Sequence, residues 1–256
     1  MKNLFDLSGK VAVVTGGSRG IGAMIARGYV ENGCRTYICS RTLEQAEGTA
    51  KALSEFGECI ALQADLSSLD GIEKFVAEIA AREDKIDILV NNAGAVWAAP
   101  IDDFPEAGWD KVMDINVKSV FFLSQKFLPL LRAASTPDTM ARIINIASVD
   151  GQSVPQFETY SYSASKAAVI HLTKALAKRL SKDNITVNAI APGAFPSDMT
   201  KVLLEKHEQM MLDQIPLGRI GQLEDMAGTA IYLASRAGSY VTGTTITVDG
   251  GWSTTL

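Results

Sequence analysis

The chain has 256 residues, of which 47% are hydrophobic and 21% charged, proportions ordinary for a globular protein with a large core. A net charge of −5 argues against a surface built for nucleic acid or for an anionic membrane. The N-terminus lacks the apolar core of a signal peptide, and no stretch reaches the roughly 18 apolar residues that span a bilayer. We therefore expect a cytoplasmic protein with one α/β domain over residues 1–256.

The cysteines Cys34, Cys39 and Cys59 are odd in number and lack a metal-ligand spacing. Free thiols are the favoured interpretation over a disulfide or a zinc site. No metal site is expected.

A short apolar run at Lys10–Thr15 ends at glycine, as a buried parallel strand does. Gly16, Gly20 and Gly22 follow, and an amphipathic pattern then runs over residues 21–32. Glycines permit a tight turn and close backbone approach, and a helix N-terminus presents free N–H groups to an anion. The segment predicts a phosphate-binding loop, although its Gly-x-x-x-Gly-x-Gly spacing differs from the usual dinucleotide motif. A turn without a ligand is the alternative.

The end of the second predicted strand, residues 35–39, bears on the choice of cofactor. In dinucleotide folds an acidic residue there binds the adenosine ribose, but this chain has Ser40 and Arg41 and no acid before Glu44. An arginine suits a 2′-phosphate, which indicates NADP(H) rather than NAD(H), and Arg19 is a second cation within reach. The alternative is that Arg41 is a surface residue at the start of a helix.

Strand and helix patterns alternate along the chain. The alternation predicts a Rossmann-like, doubly wound parallel sheet of about seven strands, with helices on both faces and right-handed crossovers. Ligands bind such sheets at the carboxyl ends of the strands, where Asp65 and the 91–94 turn fall. The predicted strands are 10–15, 35–39, 59–63, 86–90, 142–146, 186–190 and 244–248, and the predicted helices are 21–32, 42–56, 68–82, 109–131, 160–180 and 223–234.

Tyr162 and Lys166 are four residues apart, which places them on the same face of a helix, whereas Tyr160 lacks this spacing. A tyrosine alone has a pKa near 10, and a neighbouring ammonium favours the phenolate. The pair is a plausible proton-transfer device. A solvated lysine packed on a tyrosine ring is the alternative.

Four motifs in order resemble those of the short-chain dehydrogenase/reductase family. They are the glycine motif of residues 15–22, the Asn-Asn-Ala-Gly turn of residues 91–94, Ser148, and Tyr162-x-x-x-Lys166. The resemblance covers residues 10–252, and it implies hydride transfer between NADP(H) and a carbonyl or alcohol carbon.

The resemblance also implies catalytic roles. Tyr162 would give its proton to the carbonyl oxygen, and Lys166 would lower the pKa of Tyr162 and bind the nicotinamide ribose. Ser148 would hydrogen-bond the same oxygen, and the backbone of Asn116 would help to hold a relay water.

The cofactor residues that it implies follow the same strand ends. Phe195 and Ser197 stand where the family usually has Ile and Thr, so the contacts there are less certain to transfer. The set is Gly16, Ser18, Arg19, Gly20, Ile21, Gly22, Ser40, Arg41, Asp65, Leu66, Asn92, Ala93, Gly94, Tyr162, Lys166, Pro192, Gly193, Phe195 and Ser197.

A substrate lid is expected over residues 194–217, where a helical pattern over 199–217 is rich in Met and Leu. Ordinary helix packing is the alternative.

The motifs look most like those of 3-ketoacyl reductases, and the longer loop at 133–141 looks closest to the branch implicated in rhamnolipid-type synthesis. An apolar lid suits reduction of a 3-ketoacyl thioester to a 3-hydroxyacyl thioester. A sugar-acid or polyol dehydrogenase is the alternative. A dinucleotide-binding redox sensor or scaffold is a second, which the complete catalytic set disfavours.

The expected partners are a carbonyl or alcohol substrate, carried on acyl carrier protein or coenzyme A if acyl, and further copies of the chain. Lys178, Arg179 and Lys182 with Arg132 suit an acidic carrier, and compensation of a helix dipole explains them equally well. The family commonly assembles through the helices that carry Asn116 and Tyr162 and through the C-terminal strand. The apolar residues Val117, Val120, Phe121 and Phe122 support a homotetramer, or a homodimer.

Overall fold

Strand β1 (Val11–Thr15) lies in the interior of the sheet in a computed structural model of the protein, which describes residues 3–155, 157–197 and 208–253. Its side chains alternate between two apolar layers. Ala12 and Val14 pack on one face, and Val11 and Val13 pack on the other. Because both faces are covered, every residue of β1 is buried, which explains its uninterrupted apolar run.

The sheet has seven strands in the order β3-β2-β1-β4-β5-β6-β7. All of its strand pairs are parallel. The strand order reverses between β1 and β4, and the carboxyl ends of the strands border a crevice at that point. The remaining strands are β2 (Arg35–Ser40), β3 (Cys59–Gln63), β4 (Ile88–Asn91), β5 (Ala141–Ile146), β6 (Ile185–Pro192) and β7 (Thr245–Val248).

Helices cover both faces of the sheet. The first and last helices pack together on the layer of Ala12 and Val14, and Gly28 lets them approach closely, since a Cβ there would lie 2.6 Å from Cβ of Ala227. The third and fifth helices pack on the layer of Val11. The helices are α1 (Gly20–Glu31), α2 (Leu43–Leu53), α3 (Leu69–Ala80), α4 (Glu106–Met113), α5 (Ser119–Ala134), α6 (Tyr160–Leu180) and α7 (Leu223–Ala234).

The predicted fold class is confirmed, since the chain is an α/β protein with one doubly wound parallel sheet. The helix predicted over residues 109–131 differs in one respect. A wide π turn, Asp114–Lys118, separates α4 from α5 within one continuous helical segment. This turn contains Asn116, whose side chain binds a neighbouring loop rather than facing solvent.

The lid expected over residues 194–217 is described only in part, because residues 198–207 lie outside the described residues. The described part packs an apolar cluster of Ala194, Met211 and Ile215 against Trp252.

The three cysteines are free and buried, and burial raises the pKa of each thiol to about 12. Among the described helices, none has the length and apolar character needed to cross a membrane.

Candidate active site

A cavity of about 430 Å³ opens at the carboxyl edge of the sheet. Every residue of the predicted site lines it except Asn116, which lies behind the wall. The structure therefore brings together segments from the whole length of the chain. The predicted residues on the wall are Gly16, Ser18, Arg19, Gly20, Ile21, Gly22, Ser40, Arg41, Asp65, Leu66, Asn92, Ala93, Gly94, Ser148, Tyr162, Lys166, Pro192, Gly193, Phe195 and Ser197.

The loop between β1 and α1 requires glycine at three positions. Gly16 and Gly20 have φ values of +62° and +52°, in the left-handed region that other residues rarely adopt. A Cβ on Gly22 would lie 2.4 Å from the carbonyl oxygen of Gly16, so the helix could not approach the loop. The first turn of α1 carries no acidic side chain, so its N-terminal dipole is left to attract an anion. The loop fits a dinucleotide pyrophosphate.

Thr15 and Asn92 fix this loop against the turn after β4. The hydroxyl of Thr15 accepts from the backbone N–H groups of Asn92 and Ala93, at 2.9 and 3.1 Å, and donates to the carbonyl of Val90. The Asn92 side chain donates to the carbonyls of Thr15 and Gly16, at 2.8 and 3.1 Å. Sequence reasoning placed Thr15 in a motif but gave it no role. Its position at a strand end immediately before the glycines was the available signal.

The end of β2 forms the part of the cavity where the sequence predicted a 2′-phosphate. Ser18 and Ser40 both donate to Oε1 of Gln45, each at 3.3 Å, which links the glycine loop to this strand end. Arg41 is exposed beside them. At the end of the adjacent strand β3, hydrogen bonds from Ser67 lower the pKa of the Asp65 carboxyl, and Arg41 adds a smaller effect in the same direction. This end therefore combines hydroxyls, a basic side chain and one carboxylate.

Tyr162, Lys166 and Ser148 meet at the opposite part of the cavity. Lys166 is 5% exposed, its Nζ lies 5.4 Å from the centroid of the Tyr162 ring, and it donates to the carbonyl of Ile146 at 2.7 Å. Ser148 begins a 3₁₀ turn (Val149–Gly151), and its hydroxyl accepts from the N–H of Asp150 at 3.1 Å. The helical spacing of Tyr162 and Lys166 thus places both side chains beside Ser148.

The pKa values in this cluster are set mainly by burial. Burial raises the pKa of Tyr162 to about 12, against an opposing effect of the Ser148 hydroxyl. Burial lowers the pKa of Lys166 to about 8, against an opposing effect of Asp150. Sequence reasoning expected Lys166 to lower the pKa of Tyr162; in the structure the loss of water around the phenol has the largest effect, and Asp150 also raises this pKa. At neutral pH Tyr162 is therefore a neutral phenol, which is the proton-donating form.

Asn116 is 1% exposed and joins three segments. Its Oδ1 accepts from the N–H of Ala95 at 2.8 Å, and its Nδ2 donates to the carbonyl of Ala95 and to Oγ of Ser165, both at 2.9 Å. The side chain therefore acts within the protein, on the residue next to Lys166. π turns of this kind are frequent at functional sites. Sequence reasoning did not find Ser165.

Three cavity residues on the α4 side were also missed: Lys111, Asp114 and Ile115. Lys111 places its Nζ 5.4 Å from the ring centroid of Trp97. Their spacing of three and four residues puts them on one helix face, which was the available signal. Among the described residues, no three His, Cys, Asp or Glu side chains form a group that could hold a metal ion.

The segment after β6 closes the cavity over the glycine loop. The N–H of Gly193 donates to the carbonyl of Val248 at 2.9 Å, which anchors the segment to β7. A Cβ on Gly20 would lie 3.1 Å from Cβ of Ser197, so this segment and the glycine loop are in close contact. Phe195 is buried against Gly221. Phe195 and Ser197, which replace the Ile and Thr usual in the family, thus line the cavity as predicted.

Comparison with known proteins agrees with this geometry. The family described as enoyl-(acyl carrier protein) reductase matches residues 16–253. The chain is 47% identical over 254 residues to the rhamnolipids biosynthesis 3-oxoacyl-[acyl-carrier-protein] reductase of Pseudomonas aeruginosa, covering 98% of this chain and 99% of that one. It is 41% identical to the 2-dehydro-3-deoxy-D-gluconate 5-dehydrogenase of Dickeya dadantii, covering 98% of each chain.

A solved structure, the Pseudomonas aeruginosa RhlG/NADP active-site complex, superposes with a TM-score of 0.96. It is 46% identical and covers 99% of this chain and 100% of that one. These relatives match almost the whole length of the chain. The chain also has the glycine loop, the strand order and the Tyr162–Lys166 pair described above. The protein belongs to the short-chain dehydrogenase/reductase family.

Proposed function

We propose that the protein reduces a 3-ketoacyl thioester to the 3-hydroxyacyl thioester, with NADPH as the hydride donor. The observation that carries the proposal is the arrangement of one cavity. Ser148, Tyr162 and Lys166 line one part of it, and Arg19 and Arg41 line the part at the end of β2. A proton donor and a site for a phosphorylated dinucleotide are thus within one enclosure.

NADP(H) is supported over NAD(H) by charge. Arg41 and Ser40 stand where an acidic residue would bind the ribose hydroxyls of NAD, and an arginine pairs well with a phosphate. The RhlG structure, similar to this chain throughout, is described as an NADP complex. When bound, the cofactor supplies the hydride, and the protein supplies position and electrostatics.

The residues of the chain have distinct parts in this proposal. The hydroxyls of Ser148 and Tyr162 would hold the carbonyl oxygen, and the neutral phenol of Tyr162 would give it a proton as hydride reaches the carbon. Lys166, fixed by the carbonyl of Ile146, would bind the nicotinamide ribose and favour the phenolate that forms. Asn116 would position this group through Ser165.

The substrate class is supported by likeness and by an apolar segment. The relative named as a 3-oxoacyl-[acyl-carrier-protein] reductase is 47% identical, against 41% for the named sugar-acid dehydrogenase. Ala194, Met211 and Ile215 form a buried apolar cluster in the segment expected to cover the substrate. An apolar covering segment suits an acyl chain better than a polyol, whose hydroxyls need polar partners. Sugar-acid oxidation is the second candidate.

An acyl carrier protein or coenzyme A would carry the thioester. Of the basic residues expected to meet an acidic carrier, Arg132 and Arg179 both contact Asp183, at 2.8 and 3.4 Å. That arrangement favours a structural part for the two arginines, which join the ends of α5 and α6 through Asp183. Lys178 and Lys182 remain the proposed carrier contacts.

A paired assay tests the proposed function. Consumption of NADPH with 3-ketoacyl thioesters, on coenzyme A and on acyl carrier protein, is compared with NADP-dependent oxidation of gluconate and sorbitol. We expect activity on the thioesters, and turnover that falls roughly 10²–10⁴-fold in Tyr162→Phe with NADPH binding retained. Tyr160→Phe is the matched control, since that phenol is exposed and bound to Glu158 at 2.8 Å. Activity confined to the sugars would refute the substrate class, and full activity of Tyr162→Phe would refute the assigned acid.

A further inference from the structure

The turn after Ser148 holds an acidic side chain next to the proton-transfer pair. Asp150 is two residues from Ser148, whose hydroxyl accepts from its N–H. Its neighbour Gly151 lies directly on the backbone of α6, because a Cβ on Gly151 would come within 2.6 Å of the carbonyl carbon of Lys166. The turn that carries Asp150 is therefore packed directly on the residue that carries the ammonium.

Asp150 is half-buried, and its turn is hydrogen-bonded to Ser148 and packed on Lys166. Among the described residues, Lys166 and Tyr162 of α6 are the ionisable groups on which its charge acts. Strands β6 and β7, beside the turn, contain no ionisable side chain. Burial raises the pKa of the Asp150 carboxyl, the ammonium of Lys166 opposes this, and within the described part of the chain the carboxylate makes no ion pair.

We propose that Asp150 is a positioning residue that acts through Lys166 and Tyr162 and holds both in their protonated forms, which biases the site toward reduction. The proposal rests on the function proposed above. A carboxylate attracts the ammonium of Lys166, and it repels the phenolate that Tyr162 would become. Both effects favour the acid form of the pair, and a reductase needs its tyrosine protonated when hydride arrives.

The sign of the effect is the same for both groups. The charge of Asp150 raises the pKa of Lys166 and raises the pKa of Tyr162. Removing the charge therefore lowers both values, on the order of one pH unit for a partly buried pair of charges. The basic limb of reduction would move to lower pH, and oxidation, which needs a deprotonated tyrosine, would become faster at neutral pH by up to about tenfold.

Three substitutions separate charge from structure. Asp150→Asn removes the charge and keeps the shape, and Asp150→Glu restores the charge on a longer side chain. Asp138→Asn makes the same change in net charge on the exposed loop before β5. That loop lies at the amino end of β5, whereas the cavity lies at the carboxyl end, so Asp138 is a matched control.

The first measurement needs no substrate. Lysine labelled with ¹³C at Cε is titrated by NMR, and the resonance of Lys166 is identified by its loss in Lys166→Met. We expect the pKa of Lys166 to fall by on the order of one unit in Asp150→Asn, and to stay near the wild-type value in Asp150→Glu and Asp138→Asn. An unchanged titration in Asp150→Asn, or an equal shift in Asp150→Glu, would overturn the proposal.

The second measurement is the pH dependence of kcat/KM in both directions, with any carbonyl substrate that the enzyme accepts. We expect the basic limb of the pH profile for reduction to move to lower pH in Asp150→Asn. It should stay in place in Asp150→Glu and Asp138→Asn. A uniform loss of rate without displacement would mean a merely structural role and would also overturn the proposal. If the thioester assay fails while the Lys166 titration shifts as expected, the proposed substrate is wrong and the role of Asp150 stands.

Discussion

The hydroxyl of Thr15 lies 2.9 Å from the backbone nitrogen of Asn92, a residue 77 positions further along the chain. Through this contact the end of β1 and the turn after β4 form one rigid unit beneath the cavity. Thr15 is fully buried, so the hydroxyl has no water to replace a lost partner. The side chains of Thr15 and Asn92 thus join the two strand ends on either side of the switch point.

Thr15→Val tests this unit, since valine keeps the shape and removes the hydroxyl. Two backbone N–H groups, of Asn92 and Ala93, would lose their acceptor, at a cost of about 1–3 kcal/mol in the free energy of unfolding. We expect a lower melting temperature by calorimetry and weaker NADPH binding. Thr229→Val is the control, since that hydroxyl donates only within its own helix. Equal stability of the two variants would show that the contact is dispensable.

Arg41→Asp tests the choice of cofactor. The change replaces a proposed phosphate partner with a repelling charge, so the Kd for NADPH should rise by roughly 10–100-fold while NADH binding changes little. Isothermal titration with both nucleotides measures this. Arg82→Asp, at the far end of α3, is the control for charge alone. Wild-type protein that binds NADH more tightly than NADPH would contradict the prediction.

Lys166→Met tests the energetic consequence of burying an amine. The pKa of Lys166 falls from 10.5 in the unfolded chain to about 8 in the folded protein. Between these two pH values the unfolded chain binds more protons than the folded protein, so the free energy of unfolding of the wild type rises with pH in that window. Below it, the buried ammonium costs stability on the order of 3 kcal/mol, reduced by its hydrogen bond to Ile146.

We therefore expect Lys166→Met to be more stable than the wild type at pH 7, by about 1–2 kcal/mol after loss of that hydrogen bond, and to be inactive. The stability difference between Lys166→Met and the wild type should shrink by pH 10. Chemical denaturation at both pH values measures the difference. Lys174→Met, exposed on the same helix, should show no such pH dependence. A lower stability of Lys166→Met at pH 7 would disprove this account of its burial.

The homotetramer remains a prediction. Phe121 is 37% exposed with the ring of Phe122 5.2 Å away, and Trp109, on α4, is 42% exposed. Exposed apolar rings on these helices indicate an interface. Light scattering should give a tetramer, and Phe121→Asp should give smaller species, whereas Phe56→Asp, which changes an exposed ring in the turn after α2, should not. A monomer at micromolar concentration would contradict the prediction.

Sequence alone was sufficient for the fold because the signals are local and repeated. Each strand is an apolar run that ends at a turn residue, as β1 ends at Thr15, and two buried faces impose that pattern on every central strand. Alternation with helices then favours a parallel sheet with right-handed crossovers and helices on both faces. The glycine loop was equally predictable from the sequence. Any other residue in place of Gly16, Gly20 or Gly22 would strain the backbone or clash with a neighbouring atom.

The remainder of the site depends on contacts between distant segments, which spacing does not encode. The bonds from Asn116 to Ala95 and Ser165 cross between three segments. The effect of burial on the pKa of Tyr162 was missed for a similar reason, because the neighbouring lysine is visible in the sequence and the burial of the phenol is not. Asp150 gave no sequence signal, since a turn aspartate is ordinarily solvated.

The π turn between α4 and α5 makes the position of a deletion decisive in this helical segment. The buried residues Gly108, Val112, Asn116, Val120 and Ser124 are spaced by four, and Ser119 and Leu123 are buried beside them. Steps of four overrun an α-helix by about 40° each, and a turn that holds one extra residue absorbs the excess. Deleting one residue from 114–118 would therefore restore a regular turn and keep the downstream face of α5 in place, whereas a deletion elsewhere in the segment would rotate that face by about 100°. The deletion that the packing of α5 tolerates would still move Asn116 away from Ala95 and Ser165, so it would damage the site and spare the fold.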